Sequence, residues 1–206
     1  MNTEYAPAIT PVARALRGLD DPPAAPGWNH DELADVLGDL PRVPAAVLVP
    51  LVLRPDGPQV LFTRRNDSLR THAGQVSFPG GRVESADRNA VAAALRETAE
   101  ETGIALESMR PLGYLDCFET ISGYCVTPVV GCLTPDYRLA PDPGEVAEVF
   151  EVPLGFLLDS ANLHRERIDW RGRGREVFAY NYAGRRIWGA TAAMLVNLLR
   201  RLEVHR

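Results

Sequence analysis

Three glutamates pose the first chemical question. Glu97, Glu100 and Glu101 lie in the run Ala90 to Ile104, AVAAALRETAEETGI. At about 100° per residue they fall within one arc of a helix, and their i,i+3 and i,i+4 relations make their side chains neighbours. Three like charges on one patch repel. They also sit toward the helix C-terminus, where the macrodipole disfavours them. A divalent cation relieves both penalties, and carboxylate oxygens are the donors that Mg²⁺ and Mn²⁺ prefer. On this helix alone a solvated acidic face is the commoner pattern, so the neighbouring sequence has to decide.

The helix that carries them is expected over Arg88 to Thr102, with Asp87 as N-cap and Gly103 as the C′ residue. Val91, Ala94, Leu95, Thr98 and Thr102 form its packed face. Before it, Ala45 to Leu53 is an apolar run of the kind buried on both faces of a sheet. Pro55-Asp56-Gly57 turns the chain into a second strand, Gln59 to Arg65, and a long loop from Asn66 to Gly81 follows. After the helix, strands are expected around Pro111 to Cys117, Cys125 to Leu133, Glu145 to Val152 and Val177 to Tyr182. Leu154 to Leu158 reads as a short helix. The chain closes with an amphipathic helix over Gly189 to Leu202, whose stripe of Trp188, Leu195, Leu198, Leu199 and Leu202 suits a core or a homodimer contact. Strands and helices mix without a regular alternation, so the class is α+β.

Residues 1–42 read as an Ala- and Pro-rich surface arm with one short helix, His30 to Leu37, ended by Gly38; residues 43–206 read as the main domain. The net charge of −5 over 206 residues argues against nucleic acid as a partner. All 22 residues counted as Lys or Arg are arginine, whose planar fork suits phosphate. The arginine-rich segment Asp169 to Glu176, with Arg171, Arg173 and Arg175, reads as a solvated loop. Cys117, Cys125 and Cys132 are odd in number and lack metal-ligand spacing, so buried thiols in a reducing compartment are expected. The opening MNTEYAPAIT has no basic start, and the run Pro44 to Leu53 is too short to span a bilayer. A cytoplasmic protein without membrane attachment is the expectation.

Gly81 to Ile104, GRVESADRNAVAAALRETAEETGI, resembles the Nudix box through Gly81, Asp87, Arg96, Glu97, Glu100, Glu101, Gly103 and Ile104. Asp87 stands where Glu is usual, the spacer from Arg88 to Leu95 is one residue longer than usual, and Thr98 takes a position that is usually aliphatic. Upstream, Leu61 to Gly81, LFTRRNDSLRTHAGQVSFPGG, resembles the signature of the coenzyme A pyrophosphatase branch through Arg65, Arg70, Gly74 and Phe78-Pro79-Gly80-Gly81. Asn66 replaces a small residue there.

The resemblance implies a Nudix fold, a mixed β-sheet sandwiched between helices. It implies a hydrolase that uses Mg²⁺ or Mn²⁺ to cut the diphosphate of coenzyme A or a derivative into 3′,5′-ADP and 4′-phosphopantetheine or its acyl form. Glu97, Glu100 and Glu101 are then metal ligands, joined by the Gly81 carbonyl, and Arg96 organises the loop against the helix. The general base comes from the box or from a later loop, where Glu145 is preferred over Glu148. Arg65, Arg70, His72, Gln75 and Ser77 would contact substrate. ADP-ribose, NADH, dinucleoside polyphosphates and nucleoside triphosphates share the cleavable bond and remain alternatives. A non-catalytic ligand sensor is the alternative of a different kind.

Overall fold

The computed structural model describes residues 6–38, 41–170 and 172–204. Arg171 and the first five residues of the N-terminal arm lie outside the described residues. The chain runs through α1 (Ala6–Ala15), α2 (His30–Leu37), β1 (Val43–Arg54), β2 (Gly57–Arg65), β3 (Val76–Ser77), β4 (Gly80–Arg82) and α3 (Ala90–Thr102). It continues through β5 (Met109–Tyr114), β6 (Phe118–Glu119), β7 (Tyr124–Leu133), β8 (Val146–Pro153) and α4 (Leu154–Leu158). β9 (His164–Trp170), β10 (Arg173–Tyr182), β11 (Arg185–Trp188) and α5 (Ala190–Val204) complete it.

β1 is the spine of a mixed sheet ordered β3-β2-β1-β7-β5, with β8 added to β2, β6 to β7 and β4 to β1. Successive strand side chains point to opposite faces. Ala45, Val49 and Leu51 therefore enter one core, and Ala46, Leu48 and Val52 the other. The second core is closed by α3, whose Ala93 and Ala94 let the helix approach the strands closely. The first is closed by α1, α5 and the antiparallel sheet β11-β10-β9, and holds the stacked rings of Phe62, Phe78 and Phe150. Each fully buried Leu, Val or Phe contributes roughly 1.5–3 kcal/mol, which is why a nearly continuous apolar β1 becomes the centre of the fold. The result is the expected sandwich of a mixed sheet between helices.

α3 differs from its sequence reading at one end. It begins at Ala90, because Asn89 is the N-cap and its side chain accepts from the Ala92 amide at 2.9 Å. Asp87 is committed elsewhere, to the Glu84 amide and to Arg96. The C-terminal reading holds: Gly103 is left-handed (φ 70°) and its amide reaches the Ala99 carbonyl. Thr98 tolerates its buried position because its hydroxyl donates to the Ala94 carbonyl at 2.6 Å.

Two segments read as loops carry structure. The stretch from Asn66 to Gly81 contains β3 and begins β4, too short to leave a period-2 pattern. Asp169 to Glu176 is the tip of the β9–β10 hairpin rather than a solvated loop. Arg173 and Arg175 pair there with Asp35 of α2 at 2.5 and 2.7 Å.

The N-terminal segment holds two helices where the sequence suggested one. α1 buries Ile9 and Val12 in the first core, and Arg17 exchanges two backbone hydrogen bonds with Tyr114, covering the edge strand β5. Further along, Asn29 bonds both backbone groups of Glu119 at 2.8 Å. The Glu119 side chain is 2% exposed and accepts from the Gly27 amide, His30 and Arg42. Burial alone would raise this carboxyl, but the bonds from His30, Gly27 and Arg42 prevail and hold it below its ordinary value. Such a group adds stability above the unfolded carboxyl range and loses it as pH falls through the lower folded value. Glu119→Gln is therefore expected to lower the unfolding free energy by about 3–5 kcal/mol at pH 7, since it neutralises the buried carboxylate that Arg42, His30 and the Gly27 amide hold. The loss relative to wild type should shrink below about pH 4. Urea titrations at pH 7 and pH 3.5 check this; equal losses at both would contradict it.

Candidate active site

One end of the main sheet gathers the chemistry. β2 ends there at Arg65, opposite Val146 at the start of β8. β4 pairs with the first turns of β1, placing Gly81 beside Ala46 and Arg82 beside Ala45. β1 and β7 start together, Val43 beside Tyr124. The C-terminal half of α3 lies against this end, and the contact explains Gly81: a Cβ there would sit 2.5 Å from the Glu97 carboxyl carbon. Gly80 is equally constrained, with φ 154° and the Val47 Cα 2.6 Å from any added Cβ.

Glu97, Glu100 and Glu101 share this patch but not one environment. Glu100 is 61% exposed along its side chain, whereas Glu101 is 6% exposed as a residue. Burial pushes the Glu101 carboxyl up to about 8; the Arg65 charge opposes this, and Glu145 and Glu97 add to it. Glu97 is also pushed up, chiefly by burial, against a hydrogen bond from Arg96. The sequence reading placed all three on an arc apart from the packed face. Glu101 instead lies on the buried side, because β4 and the start of β8 close over that flank.

Arg96 ties the loop to the helix. It donates to both Asp87 oxygens at 3.1 and 2.9 Å, to Glu97 at 2.9 Å, to Glu100 at 3.1 Å and to the Arg82 carbonyl at 3.2 Å. Among the described residues no three carboxylate, imidazole or thiol side chains converge as a ready-made cation cage. Arg96 lies between Glu97 and Glu100, bonded to both. The donor chemistry still suits a hard divalent ion: oxygen ligands only, crowded like charges, and one carboxylate buried despite the cost.

The two later glutamates separate. Glu145 is exposed yet close enough to raise both Glu97 and Glu101. Its loop is fixed by the Asn66 amide donating to its carbonyl at 2.8 Å. Glu148 is engaged by Arg185 and lies near Arg64.

Of the five candidate substrate contacts, Arg65 alone joins the carboxylate group. Its Nε is buried without a hydrogen-bond partner, an orphaned donor beside Glu101. Arg70 and His72 lie on the exposed loop, His72 with φ 57° and its Nδ1 2.9 Å from the Gln75 side-chain oxygen. The Ser77 hydroxyl meets that of Thr63 at 3.3 Å. Arg82 and Tyr124 were not among the candidates. Nothing in their spacing connects them, since they lie 42 positions apart in the chain and only the pairing of both strands with β1 brings them together.

The NUDIX domain model matches residues 42–171, well over half the chain. This chain belongs to the Nudix family. Its Nudix relatives include two proteins named uncharacterized Nudix hydrolase NudL. The one from Photorhabdus laumondii is 42% identical over 160 residues, covering 78% of this chain and 85% of that protein. The one from Escherichia coli K12 is 42% identical over the same length and is covered to 83%. A solved Deinococcus radiodurans structure matches the fold with a TM-score of 0.51 at 20% identity, covering 78% of this chain and 86% of that one. The protein is thus a Nudix hydrolase. Hydrolases of this family generally use divalent metal ions and act on small-molecule substrates. Among the described residues no helix is long and apolar enough to cross a membrane.

Proposed function

We propose that this Nudix hydrolase cuts the diphosphate of coenzyme A or a close derivative, giving 3′,5′-ADP and 4′-phosphopantetheine or its acyl form. The observation that carries this reading is Arg65. It belongs to the segment resembling the coenzyme A pyrophosphatase signature, and it presents an unsatisfied buried donor beside the box carboxylates. A guanidinium so placed suits one oxygen pair of a diphosphate.

Glu97, Glu100, Glu101 and the Gly81 carbonyl would hold Mg²⁺ or Mn²⁺. A cation there supplies positive charge to the diphosphate oxygens and acidifies water. The protein's own groups do the rest. Arg65 orients the diphosphate, Arg96 keeps the box loop on the helix, and Glu145, on the open side of the cluster, takes the proton from the attacking water. Arg70, His72, Gln75 and Ser77 line the approach from the β2–β3 loop.

The test is a product assay with coenzyme A, ADP-ribose and NADH in parallel, with Mg²⁺ or Mn²⁺. Coenzyme A is expected to be cut with at least about tenfold higher kcat/KM than the others, a difference of roughly 1.4 kcal/mol. Chelation should abolish turnover and added metal restore it. Faster cleavage of ADP-ribose or NADH would retain the diphosphate chemistry and overturn the substrate. No cleavage with either metal would favour a ligand-sensing role.

A further inference from the structure

Arg82 follows Gly81 directly, and its carbonyl accepts from Arg96 at 3.2 Å. Its backbone is therefore tied to the carboxylate cluster, while its exposed side chain leaves that cluster on the flank away from Arg65. The guanidinium reaches Tyr124, the first residue of β7. Nε and Nη2 donate to the phenol oxygen at 3.1 and 2.7 Å, and the guanidinium carbon lies 5.4 Å from the ring centroid. Asp87, Glu97 and Glu100 are bonded to Arg96, and among the described residues no carboxylate forms an ion pair with Arg82. Among the described residues the guanidinium thus has no carboxylate counter-charge, while its backbone borders the carboxylate cluster.

The ring is held in place. The Tyr124 amide donates to the Thr120 hydroxyl at 3.1 Å, and its carbonyl accepts from the Thr120 amide at 2.9 Å. The Val43 amide ties the same turn to β1 through the Gly123 carbonyl at 2.9 Å. Because the phenol oxygen accepts both bonds from Arg82, its own hydrogen remains available to donate. The pair presents guanidinium N–H groups and a phenol O–H together, donors suited to a phosphate dianion, above an aromatic face suited to a base.

We propose that Arg82 and Tyr124 form the recognition site for a phosphate monoester on the nucleotide half of the substrate. This rests on the coenzyme A reading and deepens it. Coenzyme A carries such a group at the ribose 3′ position, whereas ADP-ribose and NADH carry only the diphosphate. Arg65 and Arg82, on opposite sides of Gly81, divide the work. Arg65 faces the bond to be cut, and Arg82 reads the second anion and sets the preference among substrates that share that bond.

The experiment compares wild type, Arg82→Ala, Arg82→Lys and Tyr124→Phe on coenzyme A and dephospho-coenzyme A with Mg²⁺. The readout is the ratio of the two kcat/KM values. Wild type should favour coenzyme A at least tenfold. Arg82→Ala should bring the ratio near one, chiefly through KM, Arg82→Lys should keep part of it, and Tyr124→Phe should lower it about threefold. Equilibrium binding of 3′,5′-ADP and 5′-AMP supplies a second readout that does not need turnover. Wild type should favour 3′,5′-ADP, and Arg82→Ala should not. If coenzyme A is not cleaved but that binding preference exists and vanishes in Arg82→Ala, the coenzyme A reading fails and the phosphate site stands. Equal losses on both substrates, or an unchanged ratio, overturn the site.

Discussion

Replacing Glu100 with glutamine is expected to reduce turnover on the order of 1,000-fold or more while leaving the fold in place, a loss comparable to removing one preorganised charge-stabilising group. Glu100 is the most exposed of the three box glutamates, and its partner in the site, Arg96, keeps Asp87 and Glu97. An exposed i,i+4 ion pair is worth about 0.3–0.5 kcal/mol. For a chain of this size that corresponds to a shift in melting temperature of roughly 1–2 °C. The amide keeps the shape and removes the charge that a divalent ion requires. Turnover and thermal melting measured on one preparation check this. A variant within tenfold of wild-type activity would remove Glu100 from the metal site.

Glu101→Gln separates function from stability more sharply. The carboxylate is buried beside Glu97 and Glu145, with the Arg65 charge and the Gly80 amide in its favour. Burying an ion costs several kcal/mol even after relaxation, and removing that burden outweighs the lost attraction to Arg65. In chelator at pH 8, the glutamine variant is expected to be more stable than wild type by about 1–3 kcal/mol, yet to lose turnover as completely as Glu100→Gln. Saturating Mg²⁺ should close the stability gap, because a ligand stabilises the state that binds it and the variant lacks one donor of the proposed metal site. Denaturation with and without metal reads both effects. A variant less stable than wild type in chelator would mean that the buried carboxylate is held by bonds that favour its charged form.

Much of this was legible from local rules. The apolar run Ala45 to Leu53 could only be buried on both faces, and it became the central strand. Gly103 was recognisable as a helix terminator because a left-handed residue is needed there. Leu154 to Leu158 appeared as the short helix at the expected bounds. The misreadings have a common cause. Asp87 satisfies the rules for an N-cap, but Arg96, nine residues on, takes its carboxylate, and Asn89 caps instead. The tip of the β9–β10 hairpin looked solvated because the partner of its arginines, Asp35, is 138 residues away from Arg173.

The sequence by itself determined the inventory of the site: three glutamates at helical spacing, an arginine beside them, the glycines that let β4 approach α3, and an arginine-bearing segment just upstream. Those follow from residue type and short-range spacing, which the backbone period converts directly into adjacency. The tertiary structure decided which of those groups meet. It buried Glu101 while leaving Glu100 exposed, aimed Arg65 at the carboxylates, left Arg70 and His72 on an exposed loop, and separated Glu145 from Glu148. It also brought Arg82 to Tyr124 by starting β1 and β7 at the same end of the sheet. Burial and long-range pairing are set by strand order and register, which no local spacing encodes.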